Sequence, residues 1–170
     1  MNIVGEHLFS GPRDEVYWML QDPEVLATAL PTMQSFTKID DSHFEATIHI
    51  RVGPVSGMFL GKLEVIDEVA PEKCTLNMEG RAGPAFAAGT LHLTFIEQAA
   101  GGTLLKYQGE AKSEGPLANV APRIVDRAAR SLVKQVFIAL DARLKVRMAE
   151  KAEQVTTLTG AGQDNRRTPD

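Results

Sequence analysis

The residues of this chain that could perform chemistry are few, and their spacing does not bring them together. The histidines are His7, His43, His49 and His92, and the only cysteine is Cys74. Period-two alternation in the strands predicts that the last three histidines point outward among polar neighbours, which does not favour a metal cluster. Cys74 falls on the apolar side of its strand, where a thiol is more often a small hydrophobe than a nucleophile. No inward pair of carboxylates is predicted, so this inventory does not support catalysis.

The apolar residues indicate a binding function instead. Strand alternation predicts one apolar side, and the closing segment repeats apolar residues at helical spacing. Small inward residues such as Ala46, Gly61 and Ala129 leave room between the two surfaces. Ligand sites are mostly apolar with a few polar groups, and the hydroxyl of Tyr107 is best suited to touch a carbonyl or hydroxyl inside. The predicted cavity-lining residues are Phe44, Ile48, Ile50, Leu63, Val65, Leu76, Met78, Leu93, Phe95, Tyr107, Ile124, Ala128 and Leu132. The alternative at most of these positions is a filled core.

The elements that must position these residues follow from turn and periodicity signals. An opening strand at about 3–10 precedes two short helices, at 13–21 and 22–30. Asp22 is suited to cap the second helix and Pro23 to occupy its first position. Alternating strands joined by short turns fill residues 44–111, the pattern of an antiparallel meander. After Gly115 and Pro116, an apolar stripe of period 3.6 predicts one long helix over about 120–151.

This order predicts an α+β helix-grip fold. A curved antiparallel sheet of about seven strands wraps around the long C-terminal helix, with two short helices after the first strand. Residues 1–151 form this single domain, and 152–170 are predicted to be a disordered tail because they are poor in apolar residues. Gly57 and Gly61 are predicted bend positions, where a Cβ would collide or the backbone needs a positive φ. The small-residue stretch 82–89 is either a wide turn or a flexible rim with Phe86 at its tip.

Composition and charge exclude several classes of protein. The chain has 170 residues, of which 44% are apolar and 24% charged, as in ordinary globular domains. A net charge of −4 argues against nucleic-acid binding. There is no signal-peptide pattern and no run of ~20 apolar residues that could span a membrane. A single cysteine cannot form an internal disulfide, which favours the cytoplasm.

The charge is unevenly distributed along the chain. Residues 117–151 carry eight basic and three acidic groups. This basic helix either makes weak contact with an anionic membrane or an acidic partner, or is a solvated face with cations near a helix C-terminus. The predicted membrane-facing residues are Arg123, Arg127, Arg130 and Lys134, with Phe86 as a nearby hydrophobic tip.

Several segments together resemble one known family. They are V-Y-W-M-L-Q-D-P-E at 16–24, L-P at 30–31, V-G-P-V-S-G-M-F-L-G-K-L-E at 52–64 and F-A-A-G-T at 86–90. They resemble the G subunit of carbon monoxide dehydrogenase, within the START-like superfamily of polyketide cyclases and lipid-transfer proteins. The resemblance covers about residues 1–150. Its departures are Tyr17, where the family usually has tryptophan, and Thr32-Met33, where glycine-cysteine is usual.

The resemblance implies a non-catalytic accessory to a molybdenum-containing carbon monoxide dehydrogenase or a related hydroxylase. It implies that the protein helps to place that enzyme at the cytoplasmic membrane and binds a hydrophobic quinone or similar lipid, with no covalently bound cofactor. The expected location is the cytoplasm, peripheral at the inner face of the membrane. The alternative is a cyclase- or hydrolase-like enzyme using the same cavity. Inward histidines or charged side chains would favour that alternative, and strand alternation predicts none.

Overall fold

The structure, a computed structural model, describes residues 1–161 and their side chains up to residue 158. The predicted α+β helix-grip fold is confirmed. In chain order the elements are β1 (Asn2–Phe9), α1 (Arg13–Met19), α2 (Pro23–Ala27), β2 (Met33–Lys38), β3 (His43–Val52), β4 (Val55–Val69), β5 (Lys73–Ala82), β6 (Ala85–Glu97), β7 (Thr103–Glu114), a 3-10 helix (Gly115–Asn119) and α3 (Pro122–Ala161).

The strands form one antiparallel sheet of seven in the order β1-β7-β6-β5-β4-β3-β2. Each strand from β2 to β7 pairs with its neighbour in sequence, while β1 returns to pair with β7, so β1 and β2 are the edges. The register places Phe44, Leu63 and Met78 opposite one another on successive strands. Cross-strand partners share a face of the sheet. The apolar members of each strand therefore face α3 together, as the alternation predicts.

Two hydrophobic clusters hold α3 against the sheet. One lies beside α1 and α2 and contains Phe9, Tyr17, Leu140 and Leu144, all of which are fully buried. The other lies around the start of α3 and includes Phe59. Full burial of a large apolar side chain contributes about 1.5–3 kcal/mol, so the middle of α3, from Phe137 to Leu144, is its strongly held part.

The boundary between the short helices follows the predicted chemistry. The carboxylate of Asp22 accepts a hydrogen bond from the backbone N–H of Glu24 at 3.0 Å, and Pro23 occupies the first turn of α2. This satisfies one of the free N–H groups at the helix start. Both helices are shorter than predicted.

The long helix differs from its prediction at both ends. It begins at Pro122 and is preceded by a 3-10 helix, so the buried residues Leu117 and Val120 lie before it. Proline lacks an N–H and fits the first helical turn, which fixes this start. At the other end α3 continues to Ala161, ten residues beyond its predicted end at 151 and into the predicted tail. The first three of these residues, alanine, glutamate and glutamine, favour helix. Residues 162–170 lie outside the described residues.

Two hairpins reverse at Gly-Pro pairs. Gly53 and Gly83 have φ of 58° and 57° and close the β3–β4 and β5–β6 turns. Glycine adopts this left-handed backbone without a steric penalty, so each reversal takes two residues. The stretch 82–89 is therefore neither a wide turn nor a rim. Phe86 belongs to β6, with the Arg81 guanidinium 4.7 Å from its ring centre.

The predicted strain at Gly57 and Gly61 is absent. Neither residue is among the described residues with positive φ, and an added Cβ at either position would meet nothing closer than 3.7 Å. That is ordinary van der Waals contact. These glycines do not mark a forced bend, and the space above them becomes important for the site.

Candidate functional site

The predicted lining residues divide into two groups according to burial. All of the strand residues lie on the side of the sheet that faces α3. Some belong to the hydrophobic clusters and have exposures of 8% or less: Phe44, Ile48, Val65, Leu93 and Phe95. They contribute to the core, and a role for them in lining a ligand cavity stays a prediction.

The second group borders a partly open space between the N-terminal half of α3 and the middle of the sheet. We call it the inner groove. Its apolar residues are partly buried and are Ile50, Leu63, Leu76, Met78, Tyr107, Ala128 and Leu132. Ile124 is 40% exposed at the start of α3, near the Gly53 turn, and stands outside this group. Whether a ligand occupies the groove stays a prediction.

Glycine positions on the inner face show that α3 does not close the groove. A Cβ at Gly57 would meet only Ala82, at 3.7 Å, and one at Gly80 only Phe59, at 3.6 Å. These neighbours belong to strands, and no atom of α3 comes within 4 Å. α3 therefore leaves room for a side chain above these two positions.

A depression of about 1310 Å³ lies on the opposite face of the sheet. It is open, and its lining combines apolar residues, among them Val4, Leu63 and Met78, with outward charged residues: Glu45, Lys62, Glu64, Glu79, Glu110 and Lys112. Ligand sites for apolar molecules are mostly apolar. The inner groove, whose lining side chains are apolar apart from the Tyr107 hydroxyl, therefore matches the predicted ligand chemistry better than the outer depression does.

One polar side chain reaches into the groove from the sheet. The ring of Tyr107 lies over Gly5, its partner on β1, and its centre is 5.3 Å from that of Phe137 on α3. Among the described residues, the Tyr107 hydroxyl has no hydrogen-bond partner and it is not among the fully buried unsatisfied atoms. The hydroxyl is therefore free to donate a hydrogen bond, and its contact with a ligand stays a prediction.

Arg130 joins α3 to the edge of the sheet next to this tyrosine. Its Nε donates to the Asp126 carboxylate at 2.9 Å, and its Nη2 and Nη1 donate to the carbonyls of Asn2 and Val4 at 3.1 and 3.4 Å. The hydrogen bond to Asp126 is the main cause that raises the pKa of Arg130. Sequence reasoning assigned this arginine to a membrane-facing set, but its contacts are within the molecule.

Sequence reasoning missed an inward histidine. His7 shares the inner face of β1 with Phe9, and their ring centres are 4.7 Å apart. Its Nε2 is buried without a hydrogen bond and lies 3.8 Å from the Asp141 carboxylate on α3. The expectation that no histidine or charged side chain points inward is therefore wrong. Alternation along β1 could have revealed His7, because residues 7 and 9 have the same parity.

We expect His7 to make stability depend on pH. Burial lowers its pKa below 6.5, despite the opposing effect of Asp141, and Lys145 lowers it further. The unfolded chain then takes up a proton before the folded chain does, so stability is lost as pH falls below about 6.5. The slope can reach at most about 1.4 kcal/mol per pH unit, since one proton is involved. Urea unfolding between pH 7 and 5 measures it.

The control for this prediction is a second histidine. His7→Gln should flatten the pH dependence, whereas substitution of the exposed His49 by glutamine should leave it unchanged. An identical slope in wild type and His7→Gln would contradict the assignment.

A polar cluster at the other side of the core is structural in character. The Tyr17 hydroxyl donates to the Glu68 carboxylate, which also accepts from Gln21 at 3.0 Å. Burial raises the pKa of the Cys74 thiol nearby to about 11, so the thiol stays protonated at neutral pH. This agrees with its role as a small hydrophobe.

The outward-facing histidines either contact a neighbouring polar side chain or are exposed to solvent. His43 contacts Asp40 at 2.8 Å and His92 contacts Thr75 at 2.9 Å, and His49 is exposed. Within residues 1–161 no group of three histidine, cysteine, aspartate or glutamate side chains is arranged to hold a metal ion.

The chain also matches a known protein family. The family model of the carbon monoxide dehydrogenase G subunit (CoxG) matches residues 5–145. The chain belongs to this family. The resemblance seen in the sequence is thus confirmed, and CoxG membership together with the START-like fold supports a ligand-binding accessory role. No curated protein matches this sequence in a direct comparison.

Solved structures confirm the START-like fold of this CoxG family member. A conserved protein from Geobacillus kaustophilus is 23% identical with a TM-score of 0.79, covering 85% of this chain and 95% of its own. A START superfamily protein from Mycobacterium smegmatis is 12% identical with a TM-score of 0.66, covering 85% and 97%. The di-domain ARO/CYC protein BexL, of the BE-7585A biosynthetic pathway, is 12% identical with a TM-score of 0.59, covering 84% and 49%. In the described part of the chain, no helix has the length and apolar character needed to cross a membrane.

Proposed function

We propose that this protein is a non-catalytic accessory that binds an isoprenoid quinone or a similar lipid in the inner groove. The observation that carries the proposal is the partly exposed apolar surface between α3 and the sheet, with the free hydroxyl of Tyr107 at its side. Apolar surface left open in a folded protein commonly marks a binding site. The family name supports carbon monoxide dehydrogenase, a molybdenum enzyme, or a related hydroxylase as the partner.

The proposal includes reversible contact with the cytoplasmic membrane. Arg123, Arg127 and Lys134 are exposed on α3, and none of them forms an ion pair with another described residue. Each basic group near an anionic surface contributes about 1 kcal/mol. Arg130 and Phe86 are no longer part of this surface, because both are engaged within the molecule. The accessory would thus take a lipid from the membrane and present it to the enzyme.

Vesicles that contain a quinone test ligand binding and membrane contact together. The purified protein is mixed with anionic liposomes holding ubiquinone and separated by flotation at low and high salt. We expect the unbound protein, which remains below the floated vesicles, to carry quinone. Extraction and mass spectrometry of that fraction detect it. Flotation should fall at high salt, because exposed charges are screened beyond about 8 Å at physiological ionic strength.

Charge reversal separates the two parts of the proposal. Arg123→Glu with Arg127→Glu should reduce flotation but leave the quinone content of pre-loaded protein unchanged. If the vesicle-free protein never carries quinone, the proposed function is wrong. Equal flotation with neutral and anionic vesicles would contradict the electrostatic membrane contact but not the binding of quinone.

A cyclase- or hydrolase-like enzyme is the second candidate, favoured by the inward pair of His7 and Asp141. The likeness to a di-domain ARO/CYC protein is in the fold alone. The Nε2 atom of His7 is buried and faces Asp141. A ligand in the inner groove would touch Tyr107 without reaching that nitrogen, so we favour the binding function.

A further inference from the structure

Two groups of hydrogen-bond donors meet at one side of the inner groove. Tyr107 lies on the sheet and Arg130 on α3, and both approach the first residues of β1. The Tyr107 hydroxyl lies against Gly5, and the carbonyl of the preceding residue, Val4, accepts a hydrogen bond from Arg130. The groove thus has a polar corner at the edge strand, while its remaining walls are apolar.

Both groups retain donors for a ligand. The Tyr107 hydroxyl has no partner among the described residues. The guanidinium of Arg130 carries more N–H groups than its three hydrogen bonds, to Asp126, Asn2 and Val4, require. The Arg130 side chain is 47% exposed, so the remaining N–H groups are accessible. A ligand oxygen at this corner could accept from both.

We propose that Tyr107 and Arg130 form a head-group site for a neutral carbonyl oxygen, and that this site fixes which end of an apolar ligand lies at the β1 edge. The inference rests on the proposed function, because it assigns chemistry to the same groove. It narrows the ligand class to molecules with an apolar body and an uncharged carbonyl head, a description that quinones satisfy and fatty acids do not.

Asp126 is the reason why the head group of the ligand should be uncharged. Its carboxylate lies 2.9 Å from Nε of Arg130 and already balances the positive charge. A ligand carboxylate at the corner would compete with Asp126 for the same cation and meet its negative charge. A carbonyl oxygen accepts hydrogen bonds without that repulsion. A hydrocarbon would gain nothing from either donor.

Matched probes test this assignment by equilibrium dialysis. Decylubiquinone has carbonyl oxygens and a ten-carbon chain, decylbenzene has a similar chain without oxygen, and decanoate has an anionic head. We expect wild-type protein to bind decylubiquinone about tenfold more tightly than either of the others. This is the effect of one or two hydrogen bonds.

Conservative variants locate the contact. Tyr107→Phe keeps the ring that packs on Phe137, and Arg130→Lys keeps the charge that pairs with Asp126. Each should weaken decylubiquinone binding about five- to tenfold and leave decylbenzene binding unchanged. Arg127→Lys, an exposed position on α3, is the control and should change neither. Melting temperatures show whether each variant is folded.

The outcomes are distinguishable from failure of the proposed function. If decylubiquinone and decylbenzene bind equally well and neither variant matters, the head-group site is wrong while an apolar groove remains. Tighter binding of decanoate would overturn the neutral head. If none of the probes binds to wild-type protein, both this inference and the proposed function are wrong.

Discussion

Gly109→Ala is expected to destabilise the protein by at least about 3 kcal/mol. A Cβ at Gly109 would collide with the backbone carbonyl oxygen of Thr90 on the neighbouring strand and lie 3.0 Å from the Cα of Leu91. The colliding atoms are backbone, so they cannot rotate away as a side chain could. The paired strands β6 and β7 would have to separate here. For a chain of this length the loss corresponds to a melting temperature roughly 6–12 °C lower.

Gly80→Ala is the matched control. This glycine lies in β5 on the same face of the sheet, but its added Cβ would meet only the ring of Phe59, at 3.6 Å. We expect the free energy of unfolding to change by less than about 1 kcal/mol. Thermal unfolding of both variants under identical conditions decides the point. Equal melting temperatures for the two would refute the steric argument at Gly109.

Ala128→Phe is expected to weaken quinone binding at least tenfold. Ala128 is partly buried on the side of α3 that borders the inner groove. A phenyl group there would occupy the space that the ligand's apolar body needs. Ala128 also packs against the cluster that contains Phe59, so the melting temperature must show that the variant remains folded. Dialysis against decylubiquinone, with a parallel melting curve, measures both effects.

The control for the groove-filling variant lies farther along the same helix. Ala142 is exposed, so Ala142→Phe adds the same side chain without entering the groove. Its decylubiquinone affinity should equal that of wild type. If Ala128→Phe binds decylubiquinone normally while remaining folded, the ligand lies elsewhere, and the charged depression on the outer face of the sheet becomes the site to examine.

Local sequence signals predicted the order of the elements correctly. The alternation of strand residues placed His43, His49 and His92 outward. Asp22 and Pro23 marked the start of α2, because capping depends on neighbouring residues alone. The same local signals did not predict the end of α3, which continues through residues 152–161 although threonine, valine and glycine make up half of that segment.

The sequence also determined which side chains face α3, but not which of them are covered. Phe44 and Leu63 are cross-strand partners on the inner face, yet Phe44 is 2% exposed and Leu63 borders the groove. A period of two fixes the side of the sheet to which a residue belongs. What lies above that residue depends on where α1, α2 and α3 pack, and this requires contacts between distant parts of the chain.

Contacts between distant segments decided the polar features of the site. His7 meets Asp141, and Arg130 reaches the carbonyls of Asn2 and Val4, although each pair is separated by most of the chain. No local pattern marks such partners, since helix periodicity shows the apolar stripe of α3 but not the strand edge beside it. The sequence by itself determined the fold and its family. The tertiary structure alone decided the open groove and its polar corner, because both arise where α3 crosses the sheet and meets β1.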